Sequence, residues 1–183
     1  MAVVTIPYVT QLAGWIGRAL GRSEELFAAF TTEAAGMRLP EAVIGSPAVT
    51  GALEQAKARA RDVAAIAEEI TAAPPDAEVA LLAAFTRFGV ALTAYFSVLD
   101  TLATQIKVSI TPATISDAGI RAKALTFAGT LALRLGERAI ATYIAENNAP
   151  FAMVLKLIGL LRWEKTPPDP ANPFRRVSPK KLN

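Results

Sequence analysis

Residues 46–73, SPAVTGALEQAKARARDVAAIAEEITAA, and residues 76–109, DAEVALLAAFTRFGVALTAYFSVLDTLATQIKVS, decide the fold. In the first stretch Val49, Leu53, Ala56, Ala60, Val63, Ala67 and Ile70 recur at spacings of 4-3-4-3-4-3, a heptad seam along one side of an α-helix. Its middle residues are small, which lets a neighbouring helix come close. Glu54, Lys57, Arg59, Arg61, Asp62, Glu68 and Glu69 fall on the opposite face. The second stretch repeats the rhythm with Leu81, Phe85, Phe88, Leu92, Tyr95, Leu99, Leu102 and Ile106, and carries Leu82, Val90, Phe96 and Val98 outside it. A helix apolar over most of its circumference is one enclosed by others. The turn Ala72-Ala73-Pro74-Pro75 is short, so the two helices are expected to run antiparallel, with the second at the centre of a bundle.

Outward from this pair, proline and glycine mark the remaining elements. A first helix spans about Pro7 to Leu20, with Val9, Leu12, Ala13, Ile16, Ala19 and Leu20 on one face. Ser23 is placed to cap a short second helix bearing Leu26, Phe27 and Phe30, with Glu24 and Glu25 in its first turn. Arg38 to Ser46 reads as a turn or one short helix. After Thr111-Pro112, Ser116 or Asp117 caps a fifth helix reaching about Glu146, with Ile120, Ala124, Phe127, Leu131, Leu135 and Ile140 facing inward. A sixth spans about Pro150 to Trp163 and is apolar from Phe151 to Leu161. Gly89, Gly129, Gly136 and Gly159 lie inside helical patterns, each costing about 1 kcal/mol against alanine unless a neighbouring helix approaches there. The expected architecture is all-α: about six helices in one domain over residues 1–165, with an extended proline-rich tail or linker over 166–183.

Composition narrows function more than it defines it. Among 183 residues, 52% hydrophobic and 19% charged, there is no cysteine and no histidine. Disulfides, thiolate nucleophiles, cysteine or histidine metal sites, Ser-His-Asp triads and imidazole bases are thereby excluded. Acidic pairs at Glu24-Glu25 and Glu68-Glu69 point in different directions on a helix, and the aspartates at 62, 76, 100, 117 and 169 are scattered. No catalytic residue, cofactor-binding residue, metal ligand or cofactor is expected. The run Lys57-Ala58-Arg59-Ala60-Arg61 is a solvated face, because Glu54 and Asp62 stand at ion-pairing distance along the helix. Asp100 reads as an exposed residue, and Arg87 as a long stem on apolar surface with its head in water.

The mean hydropathy of +0.35 calls for a membrane test. The window from Phe88 to Ile106 reaches 19 residues but contains Asp100, which costs about 2.5–3.5 kcal/mol near a bilayer centre. A buried helix is the expectation. Residues 2–17 are uncharged, yet no basic residue precedes them, so no cleaved signal is expected and the chain is assigned to the cytoplasm.

The net charge of +3 is localised. Residues 1–165 hold 15 basic and 15 acidic side chains, and the excess comes from Arg175, Arg176, Lys180 and Lys181 facing Asp169. The tail also holds five of the twelve prolines. Pro170-x-x-Pro173-x-Arg175 resembles a class of ligand for SH3 domains, which bind a polyproline helix flanked by a basic residue. Ser178-Pro179-Lys180-Lys181 resembles the histone-tail element that lies in the DNA minor groove. Pro170, Pro173, Phe174, Arg175, Arg176, Lys180 and Lys181 are therefore the candidate partner-binding residues of the tail.

The function expected from these features is a non-enzymatic module for assembly: a structural subunit, or the terminal domain of a larger protein. Its partner is a protein, either another copy of the chain or another component of an assembly. A membrane-active protein is the alternative, motivated by the apolar Leu81–Ile106 and Phe151–Leu161 segments. Nucleic-acid binding through the basic tail stands third.

Overall fold

A computed structural model describes residues 6–74 and 76–147, and every regular element among them is helical. Seven α-helices follow in order: α1 (Ile6–Gly21), α2 (Ser23–Gly36), α3 (Glu41–Ile44), α4 (Pro47–Ala72), α5 (Glu78–Ser109), α6 (Ala118–Ala132) and α7 (Arg138–Asn147). A π-helical turn, Leu133–Glu137, joins α6 to α7. The expected fifth helix is thus two helices with a wide turn between them, and the ambiguous Arg38–Ser46 segment supplies the one-turn α3. The expected sixth helix and the tail, including Pro170, Pro173, Phe174, Arg175, Arg176, Lys180 and Lys181, lie outside the described residues.

Local chemistry accounts for the ends. Ser46 Oγ accepts a hydrogen bond from the Val49 amide at 3.4 Å, and Pro47 occupies the first turn of α4. Asp117 rather than Ser116 caps α6, accepting from the Ile120 amide at 2.7 Å. Ser23 does not cap α2: it is the first residue inside the helix and is buried, while Arg22 holds the cap position. The C-terminus of α2 closes in a Schellman motif, with the Leu39 amide donating to the Ala34 carbonyl and the Arg38 amide to that of Ala35. The motif requires a left-handed residue, and Arg38 takes that role at φ 55°.

The core lies where α4 meets α1 on one side and α5 on the other. Val49, Ala56, Ala60, Val63, Ala67 and Ile70 are buried on α4, together with Ala52, while Leu53 is only partly covered. Glycine sets the spacing to α1. A Cβ on Gly14 would meet Thr71, one on Gly17 would lie 2.2 Å from the Ala67 methyl, and one on Gly21 would stand 3.8 Å from that of Ala64. The numbers fall along α4 as they rise along α1, so the two helices are antiparallel and nearly touch backbone to backbone.

Helix α6 runs back along α5, with Gly129 beside Lys107 and Gly136 against Phe96 and Leu99. Close approach therefore compensates Gly136, where a Cβ would lie 2.4 Å from the Phe96 ring. It does not compensate Gly89, which faces open space. Helix α2 joins the core through Phe30, stacked on Phe127 of α6 at 5.4 Å. Helix α7 packs on α1, where Tyr143 meets Trp15 edge to face at 6.1 Å and Ile144 is fully buried.

Candidate interaction surface

Helix α5 buries Leu81, Ala84, Phe88, Tyr95, Leu99, Leu102, Ala103 and Ile106, with Phe85 and Leu92 partly covered. Among the described residues, α5 is not enclosed on all sides. Val79 is 86% exposed, Leu82 70%, Val90 67% and Val108 69%. At 100° per residue these positions line up with Ala83, Thr86, Thr93, Ser97, Thr101 and Thr104, all exposed, to form one outward stripe. Asp100 is exposed on its flank, and no charged residue falls on its midline.

Three of the hydroxyls on the stripe are bonded back to their own helix. Those of Thr86, Thr93 and Thr101 donate to the carbonyls of Leu82, Gly89 and Ser97 at 2.9, 2.9 and 3.1 Å, four residues back in the same helix. This bonding satisfies the polar atom locally and lessens the polarity shown to the surroundings.

Helix α6 also exposes Ile120 and Leu125, about 140° apart around the helix, together with Gly119, Ala122, Lys123, Thr126 and Gly129. Among the described residues the exposed large apolar side chains all lie on α5 and α6: Val79, Leu82, Val90, Val108, Ile120 and Leu125.

The charged chemistry is elsewhere. Lys57 pairs with Glu54 at 2.9 Å and with Glu24 at 3.8 Å; Arg59 pairs with Asp62 at 3.2 Å; Arg61 also pairs with Glu24. The basic run 57–61 is thus engaged with acids, as the helix spacing implied. The Arg61 hydrogen bond holds the Glu24 carboxyl below its ordinary value, and the bond to Glu54 raises Lys57. Arg134 in the π-helical turn pairs with Glu33 and lies 5.8 Å over the Phe127 ring. Arg87 reaches to Glu69 of α4 at 2.6 Å and is raised by that hydrogen bond. No ion pair among the described residues involves α6, and α5 contributes only Arg87. One side of the molecule is a lattice of paired charges on α2 and α4; another, along α5, carries no charge on its midline, with Asp100 and Lys107 exposed at its edge.

Two shallow grooves flank the π-helical turn. One, of about 300 Å³, is lined by Arg22, Glu25, Arg134, Tyr143 and Glu146 among others; the second, of about 210 Å³, lies between Phe30, Glu33, Phe127 and Arg134. Their cationic heads are already bound, Arg22 to Glu25 and Arg134 to Glu33. Among the described residues no three acidic side chains converge as metal ligands.

The uncharged run Phe88–Leu99 signalled an unusual helix in the sequence, but hydrophobicity alone does not separate burial inside a chain from exposure awaiting cover. No family model, curated protein or solved structure matches this chain.

Proposed function

We propose that the chain is a non-enzymatic helical-bundle module for assembly, and that the outward face of α5 with the adjoining face of α6 is its docking surface. The observation that carries this reading is the segregation of exposed large apolar side chains onto these two helices, away from the ion-paired face. Exposed large apolar side chains gathered on two neighbouring helices point to an interaction site, because leaving apolar surface wet costs about 25 cal/mol for each Å². The stripe needs neither charge nor catalytic chemistry from its partner; it needs shape and the exclusion of water.

The chain has no cysteine, so a single introduced thiol reports the state of the face directly. Val90→Cys places one on the stripe, and Ala58→Cys places a control on the exposed side of α4. In intact cells producing either variant, a membrane-permeant maleimide is expected to label Val90→Cys at least tenfold more slowly than Ala58→Cys. Equal rates reject the reading.

A second reading has one observation in its favour: among the described residues α5 is the helix long and apolar enough to cross a membrane, and only 22% of its most apolar window is buried. On that reading α5 is released to lipid rather than to protein. Flotation of the purified chain with neutral or anionic vesicles, followed by dye release, tests it; no association at any pH rejects it.

A further inference from the structure

We propose that α7 is a flap hinged at the π-helical turn, held on α1 while Glu137 is protonated and released more often once Glu137 ionises. This flap lies on the α1 side of the molecule and does not depend on the reading of the α5 face. The attachments of the chain to its neighbours end at the turn. Arg134 pairs with Glu33 of α2, and the Leu135 carbonyl accepts from the Tyr95 hydroxyl of α5 at 2.6 Å. Gly136 lies so close to α5 that a Cβ there would stand 3.3 Å from the Leu99 side chain and nearer still to Phe96. Glu137 is the next residue and the last of the turn, and α7 begins at Arg138. Helices bend at π-helical turns because the regular hydrogen-bond ladder is interrupted there.

Beyond the hinge, α7 rests on α1 through a small apolar cluster of its own. Trp15 and Ile144 are its buried members, with Leu12, Ile140 and Tyr143 packed around them. The Tyr143 ring meets Trp15 edge to face at 6.1 Å. Closer to the hinge this packing gives way to the groove of about 300 Å³ between Ala139 and Thr142 on one side and Ala19 and Arg22 on the other. An element held by a small satellite cluster opens at a lower free energy than the core does.

Glu137 supplies the bias. Its Oε2 is buried with no hydrogen-bond partner among the described residues. The charged and titratable groups on the elements around the turn are engaged elsewhere or exposed. Arg134 pairs with Glu33 and Arg22 with Glu25, while Arg18 of α1 lies over the Trp15 ring at 5.4 Å. On α5, Tyr95 is bonded to Leu135 and Arg87 to Glu69; on α6, Arg121 is bonded to the Ile115 and Ser116 carbonyls. Asp100, Lys107, Lys123 and Glu146 are exposed. An ionised carboxylate at this place loses hydration without gaining a partner, and the protonated acid loses less. Opening of α7 returns the group to water. Desolvation raises the docked carboxyl, and the released one regains the ordinary value of about 4.3. The docked form therefore binds the proton more tightly. Below about pH 4 both forms are protonated and docking is firmest; as pH climbs through the raised docked value, opening grows and then levels off.

The test places single cysteines in the full chain, which has none of its own. Ala141→Cys puts a thiol at a buried position of α7, and Ala60→Cys puts one in the core seam of α4. Labelling by a pyridyl disulfide is followed at about pH 4 and pH 7.5, each rate being divided by that of the same variant unfolded in urea. The thiol at position 141 is expected to react at least about tenfold faster than the one at position 60, because α7 opens without global unfolding. Its normalised rate should be roughly two- to fivefold higher at pH 7.5 than at pH 4. With Glu137→Gln added, the rate should stay at the slow value at both. Hydrogen exchange of the α7 amides in the parent and in Glu137→Gln, referred to unfolded rates at each pH, should follow the same pattern without any introduced thiol. Equal rates at positions 60 and 141 overturn the proposal, as does a rate at position 141 that ignores pH. A pH dependence that survives Glu137→Gln belongs to other carboxylates and overturns it too.

Discussion

The phenolic hydroxyl of Tyr95 donates a hydrogen bond of 2.6 Å to the backbone carbonyl of Leu135, joining α5 to the π-helical turn across forty residues of sequence. Tyr95 is wholly buried. Burial pushes its phenol well above the ordinary tyrosine range, so it stays neutral and remains a donor. The bond ties the one irregular turn among these helices to the most apolar of them.

Tyr95→Phe removes the donor and leaves the ring. A stability loss of about 1–1.5 kcal/mol at pH 7 is expected, since one buried hydrogen bond is lost and a carbonyl lone pair is left in the core. Thermal melting should fall by roughly 3–5 °C. The pH dependence has a definite sign. Unfolded tyrosine ionises near pH 10 and the folded group well above it, so the native chain loses stability as pH rises beyond about 10. The Phe variant lacks this loss, and urea titrations at pH 7 and 11 should show the two proteins converging.

Two glycine-to-alanine substitutions should act in opposite directions. At Gly17 the new methyl would lie 2.2 Å from the Ala67 methyl, so α1 and α4 must separate, at a cost of about 1–3 kcal/mol. At Gly89 the methyl meets nothing within 4 Å, and helix propensity alone predicts a gain of about 0.5–1 kcal/mol. Equal shifts in the urea midpoints of the two variants would contradict the close α1–α4 approach.

Arg38 occupies the left-handed position that ends α2, at φ 55°. A side chain there costs about 1–2 kcal/mol and glycine removes that cost, though glycine also gains freedom in the unfolded chain. Arg38→Gly should therefore stabilise the protein by about 0.5–1 kcal/mol net. The check is a higher urea midpoint at unchanged slope.

Glu137 closes the π-helical turn, and its Oε2 is buried with no hydrogen-bond partner among the described residues. Desolvation raises its pKa. For a carboxyl raised in the folded state, ionisation opposes folding, so the penalty is present at neutral pH and disappears as pH falls below the unfolded value near 4.3. Glu137→Gln should stabilise the chain at pH 7 by roughly 0.5–1 kcal/mol, a figure reduced for the solvent that still reaches this half-buried group. The difference between variant and parent should vanish near pH 4.

Much of the helix pattern could be read from residue spacing. The inward positions of α4, the Ser46 and Pro47 start and the Glu54–Lys57 and Arg59–Asp62 pairs depend on neighbours within four residues along one helix. The π-helical turn could not be read in this way. A wide turn at Leu133–Glu137 arises because Gly136 fits against Phe96 and because Tyr95 bonds Leu135, and both partners are remote in sequence. The candidate docking surface was legible only as an excess. Val79, Leu82, Val90 and Val108 announce themselves as apolar, but their sequence does not say which neighbours cover them.

Residue order and type dictate that the described chain is helical, where most of its helices start and stop, and which histidine and cysteine chemistry it cannot perform. These properties follow from local backbone preferences, capping hydrogen bonds and side-chain inventory. Long-range packing is what brings α1 onto α4 through glycine, parts α6 from α7 at a π-helical turn, and, among the described residues, leaves one side of α5 uncovered. Each of these depends on which distant residues share a contact, and hydrophobic attraction, being non-directional, fixes that choice only through the packing of the whole.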